Sequence, residues 1–146
     1  MNQHIIDIHI RMSETNASGH VSNTSYYIYL DDARSQFFHE VGFSSKEQNM
    51  SFVLASCYCD FLQEVFFGQT LQVETTVSKI GTKSYTLQHQ IIDRATRSLV
   101  AKAQSVIVCF NHQNKQSVVI PDALYEGLKR YESNNRLLIR ARNNME

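Results

Sequence analysis

E-T-N-A-S-G-H-V-S-N-T-S-Y-Y-I-Y-L-D-D-A-R, from Glu14 to Arg34, passes from a short polar loop directly into a run with helical spacing. Apolar residues fall at Tyr26, Leu30, Ala33, Phe37 and Val41, three or four apart, and Gly42 then interrupts the run, so the spacing predicts one helix of about five turns. The loop carries Gly19 just ahead of that helix. A tight turn into a helix start leaves backbone N–H groups with no intrahelical partner, and such groups can hold a carbonyl oxygen as it becomes an oxyanion. Acyl chemistry is the reaction class this predicts.

On the N-terminal side, His4 to Met12 alternates Ile6, Ile8 and Ile10 with Asp7, His9 and Arg11, the pattern of a half-buried strand. On the C-terminal side, a polar connection from Phe43 to Asn49 leads into four more strands. Ser51–Val65 ends at the turn Phe66-Phe67-Gly68-Gln69, and Thr70–Ile80 alternates Leu71, Val73, Thr75 and Val77 with polar residues before a turn at Gly81. Lys83–Ile92 closes at Asp93–Arg97, and Leu99–Phe110 sets small residues, Ala101, Ala103 and Ser105, along one face. A helix lying across a sheet needs such a strip, because larger side chains would push it away. Pro121 introduces a short helix over about Asp122–Glu132. This element order is α+β, and one solution wraps an antiparallel sheet of about five strands around the single long helix. That sheet leaves unpaired outer strands, and pairing them between two copies predicts a homodimer, with a dimer of dimers as a further step.

The 146 residues, 42% hydrophobic and 19% charged, fit a single domain over 1–146, with 136–146 as an extended basic tail carrying Arg136, Arg140 and Arg142. Fourteen basic and fourteen acidic residues cancel, which argues against nucleic acid or a membrane surface as partner and favours a small molecule. No apolar run reaches the roughly 18 residues a membrane span needs, and M-N-Q-H-I-I-D does not read as a secretory signal, so a cytoplasmic location is expected. Cys57, Cys59 and Cys109 lie in apolar strand-like segments and read as reduced core thiols. The histidines His4, His9, His39, His89 and His112 show no metal-ligand spacing, and no G-x-S-x-G context marks a serine nucleophile.

The segments G-H-V-S-N-T-S-Y-Y-I-Y-L-D-D-A-R and Y-C-D-F-L-Q-E-V-F-F-G-Q resemble the hotdog-fold acyl-CoA thioesterases of the 4-hydroxybenzoyl-CoA thioesterase type, and the likeness runs over about residues 5–130. The loop, the long helix, the F-F-G turn and the I-G-T-K-S-Y hairpin come in that family's order. The resemblance implies hydrolysis of an acyl-CoA thioester, with coenzyme A as part of the substrate and no metal or redox cofactor. It also implies a loop aspartate as nucleophile or base where this chain has Asn16. An amide has no useful basicity, although it can orient a water or a carbonyl.

Another carboxylate is therefore sought at Glu14, Asp31 or Asp32, and Asp31 is the expected base because it lies nearer the apolar stripe of the helix. The plain alternative for Asp31 and Asp32 is a solvated helix face with Arg34 nearby. The N–H of Gly19 or of His20 is the expected oxyanion donor, with His20 as a second polariser or a loop residue that caps the helix. Ser22 and Asn23 read as capping residues or substrate ligands, and Ser18 as a thioester ligand or the closure of the turn. Tyr26, with Tyr27, Tyr29, Phe37, Phe38, Phe66 and Phe67, forms an acyl tunnel or simply core. In the resemblance Asp60 lies by the site or the dimer seam, and its plain role is bonding a backbone N–H. Lys79 and Lys83 flank a turn suited to the phosphates of coenzyme A, or are merely solvated.

Two rival functions stand beside hydrolysis. The missing aspartate fits a non-catalytic binder of acyl-CoA or acyl-carrier protein, and a pairing of His20 with Asp31 fits a hotdog dehydratase.

Overall fold

The computed structural model describes residues 2–41 and 50–133. Gly42, the Phe43–Asn49 connection and the basic tail fall outside the described residues. The elements in chain order are β1 (His4–His9), α1 (Asn23–Glu40), β2 (Met50–Phe61), β3 (Thr70–Ile80), β4 (Ser84–Asp93), β5 (Leu99–Asn111), β6 (Gln116–Ser117) and α2 (Asp122–Lys129). A single 3-10 turn at Met12–Glu14 ends the first strand earlier than its alternation predicted. Pro121 sits just outside α2 as its N-cap, not inside the first turn.

All strands pair antiparallel in the order β1-β3-β4-β5-β2, and β6 adds to β5 beyond the end of β4, opposite Phe110 and Asn111. The sheet lies against α1, as a hotdog fold requires. The helix buries Tyr26, Tyr29, Leu30, Ala33, Arg34 and Phe37, spaced three and four apart, against it. The small strip on β5 does what its composition suggested: Ala101 and Ala103 are buried with Ala33 in one core cluster.

That core is divided. One apolar cluster gathers Leu30, Ala33, Leu71, Val73, Ile91 and Ala103, and a second gathers Phe37, Val77, Tyr85, Leu87, Ile107 and Leu128. Between them, one step along each element, lie Arg34, Thr75, His89 and Ser105, all buried. His89 Nδ1 bonds Thr75 Oγ1 at 2.9 Å and its Nε2 bonds Ser105 Oγ at 3.0 Å. Arg34 Nη1 donates to the same Ser105 hydroxyl at 3.0 Å and lies 3.7 Å from Cys57 Sγ. Burial, with the Arg34 guanidinium adding to it, pushes the His89 imidazole down to about 3, so it stays neutral in the folded chain.

The sheet ends on β1 and β2. Along β2, Val53, Leu54, Tyr58 and Phe61 are between 41% and 49% exposed, an apolar edge of the kind soluble proteins usually cover.

Candidate active site

The loop before α1 folds as a small hairpin. Thr15 bridges Val21, and Asn16 N–H donates to His20 O at 2.8 Å. Gly19 takes φ +82°, a left-handed conformation that costs other residues energy, and a Cβ added there would meet nothing within 4 Å. Conformation, not crowding, is thus what calls for glycine. The second strand of this hairpin is held by the turn after β2: His20 bridges Phe66, Val21 N–H donates to Val65 O at 2.7 Å, and Phe67 N–H donates to Gly19 O at 3.3 Å.

Asn16 fastens this loop through its side chain. Its Oδ1 accepts from Ser18 N–H at 3.1 Å, Ser18 Oγ at 2.9 Å and His20 N–H at 3.2 Å. Gly19 N–H meanwhile donates to Asn16 O at 3.0 Å. The two amides expected to hold the oxyanion, Gly19 and His20, are therefore already occupied within the loop. Ser18 takes the plainer of its two readings and closes the turn.

The open amides lie a few residues on. Ser22 is the N-cap of α1 but makes no side-chain capping bond. Its hydroxyl instead contacts Glu14 O at 3.3 Å, Thr24 Oγ1 at 3.2 Å and Ser25 Oγ at 2.7 Å. Among the described residues the N–H groups of Asn23 and Thr24 have no acceptor. Such a helix end carries partial positive charge and favours an anion.

A cavity of about 370 Å3 opens at this helix end, lined by Asn16, His20, Val21, Ser22, Asn23, Tyr26 and the segment Phe61–Glu64. It brings together five of the residues expected from sequence: Asn16, His20, Ser22, Asn23 and Tyr26. The Tyr26 ring is buried, edge-on to Phe61 at 5.1 Å, and desolvation pushes its phenol up to about 12, so the hydroxyl keeps its proton at neutral pH.

Asp31 does not join them. It lies about 12 Å further along the helix axis at 1.5 Å per residue. Its side chain is 82% exposed, pairs with Arg34 Nη2 at 3.2 Å, and lines a separate cavity with Arg34, Ser35, Phe38 and Phe52. Within one chain Asp31 therefore does not reach the cavity at the helix start or His20, with which a dehydratase would pair it. Its surroundings match the solvated alternative, except that Arg34 is buried. The reason is periodicity: Leu30 and Arg34 share the face against the sheet, and Asp31 is turned about 100° from Leu30.

Glu14 is structural. Its Oε1 accepts from Arg11 N–H at 2.8 Å and from Tyr29 Oη at 3.0 Å, while its backbone O accepts from Ser25 Oγ at 2.8 Å. Asp32 lies on the exposed helix side and accepts from Gln36 Nε2 at 3.0 Å. Asp60 is exposed on β2 opposite Lys102 and is not among the residues lining the cavity at the helix start, and Phe67 stands exposed in the turn after β2. Lys79 and Lys83 sit at the far end of the sheet, about 30 Å along β3 from Thr70 at the usual rise per residue. They do not share this cavity within one chain.

The sequence reading passed over one residue. Glu64, just past β2, lines the cavity, and its Oε1 lies 3.6 Å from His20 Nδ1. The Glu64 side chain is 67% exposed and that of His20 is 30% exposed. The two are 44 positions apart and meet only because the turn at Phe66 pairs with the loop at His20.

Residues 10–128 match the thioesterase-like superfamily. The chain is 30% identical over 82 residues to the uncharacterized protein YsmA of Bacillus subtilis, a match that spans 56% of each protein. A predicted thioesterase from Bacillus stearothermophilus superposes with a TM-score of 0.80 at 26% identity, covering 91% of this chain and 98% of that one. Slr0204, a 1,4-dihydroxy-2-naphthoyl-CoA thioesterase from Synechocystis, superposes with a TM-score of 0.80 at 15% identity, covering 88% and 96%. Among the described residues no helix is long and apolar enough to cross a membrane.

Proposed function

This chain belongs to the thioesterase-like superfamily, and from that premise we propose that it hydrolyses an acyl-coenzyme A thioester to the free acid and coenzyme A. The observation that carries the proposal is the start of α1, whose Asn23 and Thr24 N–H groups have no acceptor among the described residues and lie beside a cavity lined by Asn23, Asn16 and His20. Charge develops on the carbonyl oxygen when water adds to a thioester. Fixed N–H donors aimed at that oxygen stabilise the transition state more than the ground state, and loss of one such donor typically costs about 100-fold or more in rate. In this reading the thioester oxygen lies on Asn23 N–H, and Asn16 holds the loop in the shape that keeps His20 at the cavity. Coenzyme A enters as part of the substrate.

The same reading includes a second copy of the chain in a cytoplasmic homodimer. The apolar β2 edge supports it, because pairing two such edges would cover Leu54, Tyr58 and Phe61 and complete the backbone hydrogen bonds.

The test is release of free thiol from a panel of aryl, short aliphatic and long aliphatic acyl-CoA esters. Hydrolysis of at least one class well above the buffer rate is expected. Binding of these esters without thiol release selects the non-catalytic binder instead. Asn16→Asp sharpens the result: its carboxylate keeps the acceptor for Ser18 and His20 and adds a second oxygen with basic character, so thiol release should rise several-fold, roughly 3- to 10-fold. An unchanged or lower rate removes Asn16 from the reacting geometry.

A further inference from the structure

We infer that Glu64 and His20 form the carboxylate–imidazole couple that supplies base catalysis in this chain, replacing the carboxylate that Asn16 lacks; the inference rests on the thioesterase reading above. The residue types are suitable and the fold brings them together. His20 Nδ1 faces Glu64 Oε1 at 3.6 Å, and both residues line the cavity that holds the open helix end. An exposed glutamate closes that gap to a hydrogen bond by a small side-chain rotation, and catalytic hydrogen bonds are often long until substrate is bound.

The imidazole is held on two further sides. Its backbone bridges Phe66, and its ring stands edge-on to the Phe66 ring at 4.8 Å and 85°. Nε2 is left with no partner among the described residues. A carboxylate at Nδ1 keeps the proton on that nitrogen and leaves the Nε2 lone pair free to act as base. The roles then follow the logic of a base oriented by a third group, with water as the nucleophile.

The step balances as follows. Water oxygen adds to the thioester carbonyl carbon while one water proton passes to His20 Nε2. The carbonyl oxygen becomes an oxyanion on Asn23 N–H, and Glu64 offsets the positive charge on the imidazolium. The C–S bond then breaks as the oxyanion collapses, and the leaving sulfur takes the proton from Nε2. The products are one carboxylic acid and one thiol, and His20 is neutral again. Glu64 acts through His20 and is a positioning residue; His20 touches the reacting water and is catalytic.

The experiment combines steady-state kinetics of the intact protein, on the best ester of the panel, with 15N spectra of its histidines. His20→Asn should lower kcat by about 100-fold or more. Glu64→Gln should lower kcat by about tenfold with KM within twofold, and Glu64→Asp should recover most of the loss. In the wild type the His20 resonances should show the proton fixed on Nδ1, and in Glu64→Gln they should show a mixture of tautomers. If Glu64→Gln keeps kcat within twofold, or raises KM alone, or leaves the tautomer unchanged, the couple is overturned while hydrolysis itself stands. If the wild type releases no thiol from any ester, the thioesterase reading falls, and the inference falls with it. A variant that loses its far-UV dichroism is replaced in the comparison by Glu64→Asp against wild type, where equal tautomer signatures are expected and a lost Nδ1–H signal overturns the couple.

Discussion

The two ends of the polar machinery along α1 differ in what is left unbonded. At its start, the N–H groups of Asn23 and Thr24 lack acceptors and His20 Nε2 has no partner among the described residues. At its middle, Arg34 reaches Ser105, Cys57 and Asp31, and His89 is held through both ring nitrogens by Thr75 and Ser105. Both regions hold a histidine, a serine and a charged group. In the middle these groups consume one another, so they contribute to folding; at the start the Asn23 and Thr24 N–H groups and His20 Nε2 are left over beside a cavity and remain available for a ligand. Residue type alone does not separate structure from chemistry here; saturation of the hydrogen bonds does.

The sharpest way to break this contrast is Arg34→Ala. It removes a charged donor from a buried site and empties the space of a long side chain, and a loss of about 2–4 kcal/mol is expected from urea unfolding. Activity per folded molecule should stay within about threefold of wild type. A stable variant with no thiol release would reverse the assignment of the two regions.

Next in size is a pH effect. His89 is held down to about 3 in the folded chain, against 6.5 for an ordinary histidine, so below about 6.5 the unfolded chain binds a proton that the folded chain refuses. Folding stability should therefore fall as pH drops from 7 to 5, by about 2 kcal/mol from this group. Urea midpoints for His89→Gln should lose about that much less over the same interval. Equal pH slopes for variant and wild type would mean that His89 does not carry the effect.

Ser22→Asp tests the helix start. Its carboxylate would accept from Thr24 N–H and place negative charge where the oxyanion must form, so thiol release should fall at least about tenfold while the helical dichroism is kept. The smallest effect belongs to Asp31→Asn. Its partner Arg34 keeps its bond to Ser105, and a side chain this exposed contributes little, so a stability change under about 0.5 kcal/mol and a rate within about twofold are expected. A large loss of rate from Asp31→Asn would restore the base role first assigned to it.

Most of the fold was legible because period and breaker residues carry it. The apolar stripe of α1, the alternation of β3 and the small strip of β5 each report one face of an element, and Gly81, Pro121 and the Phe66–Gln69 turn mark where elements stop. Strand and helix limits shifted by a few residues, as with β1, where backbone bonds of the 3-10 turn take over at Met12. The site was less legible. Asn16, His20 and Asn23 lie close together in sequence and were found, but Glu64 follows the end of β2 with no periodic signal and meets His20 only through a bridge between two loops. Which amide is open was equally hidden, because Asn16 Oδ1 takes the His20 N–H and the Ser22 hydroxyl bonds Glu14 O and the Thr24 and Ser25 hydroxyls instead of a helix N–H. Arg34 reads as surface by type, and its burial depends on Ser105 lying opposite it in three dimensions.

The layer of Thr75, His89 and Ser105 crossing three neighbouring strands also acts as an alignment key. A slip of β4 by two residues would keep its inward face inward, so hydrophobic pattern alone hardly forbids it. Such a slip in either direction would move the His89 ring from Thr75 to Val73 or Val77 on β3 and leave the Thr75 hydroxyl facing Leu87 or Ile91, turning a tolerated misalignment into a costly one.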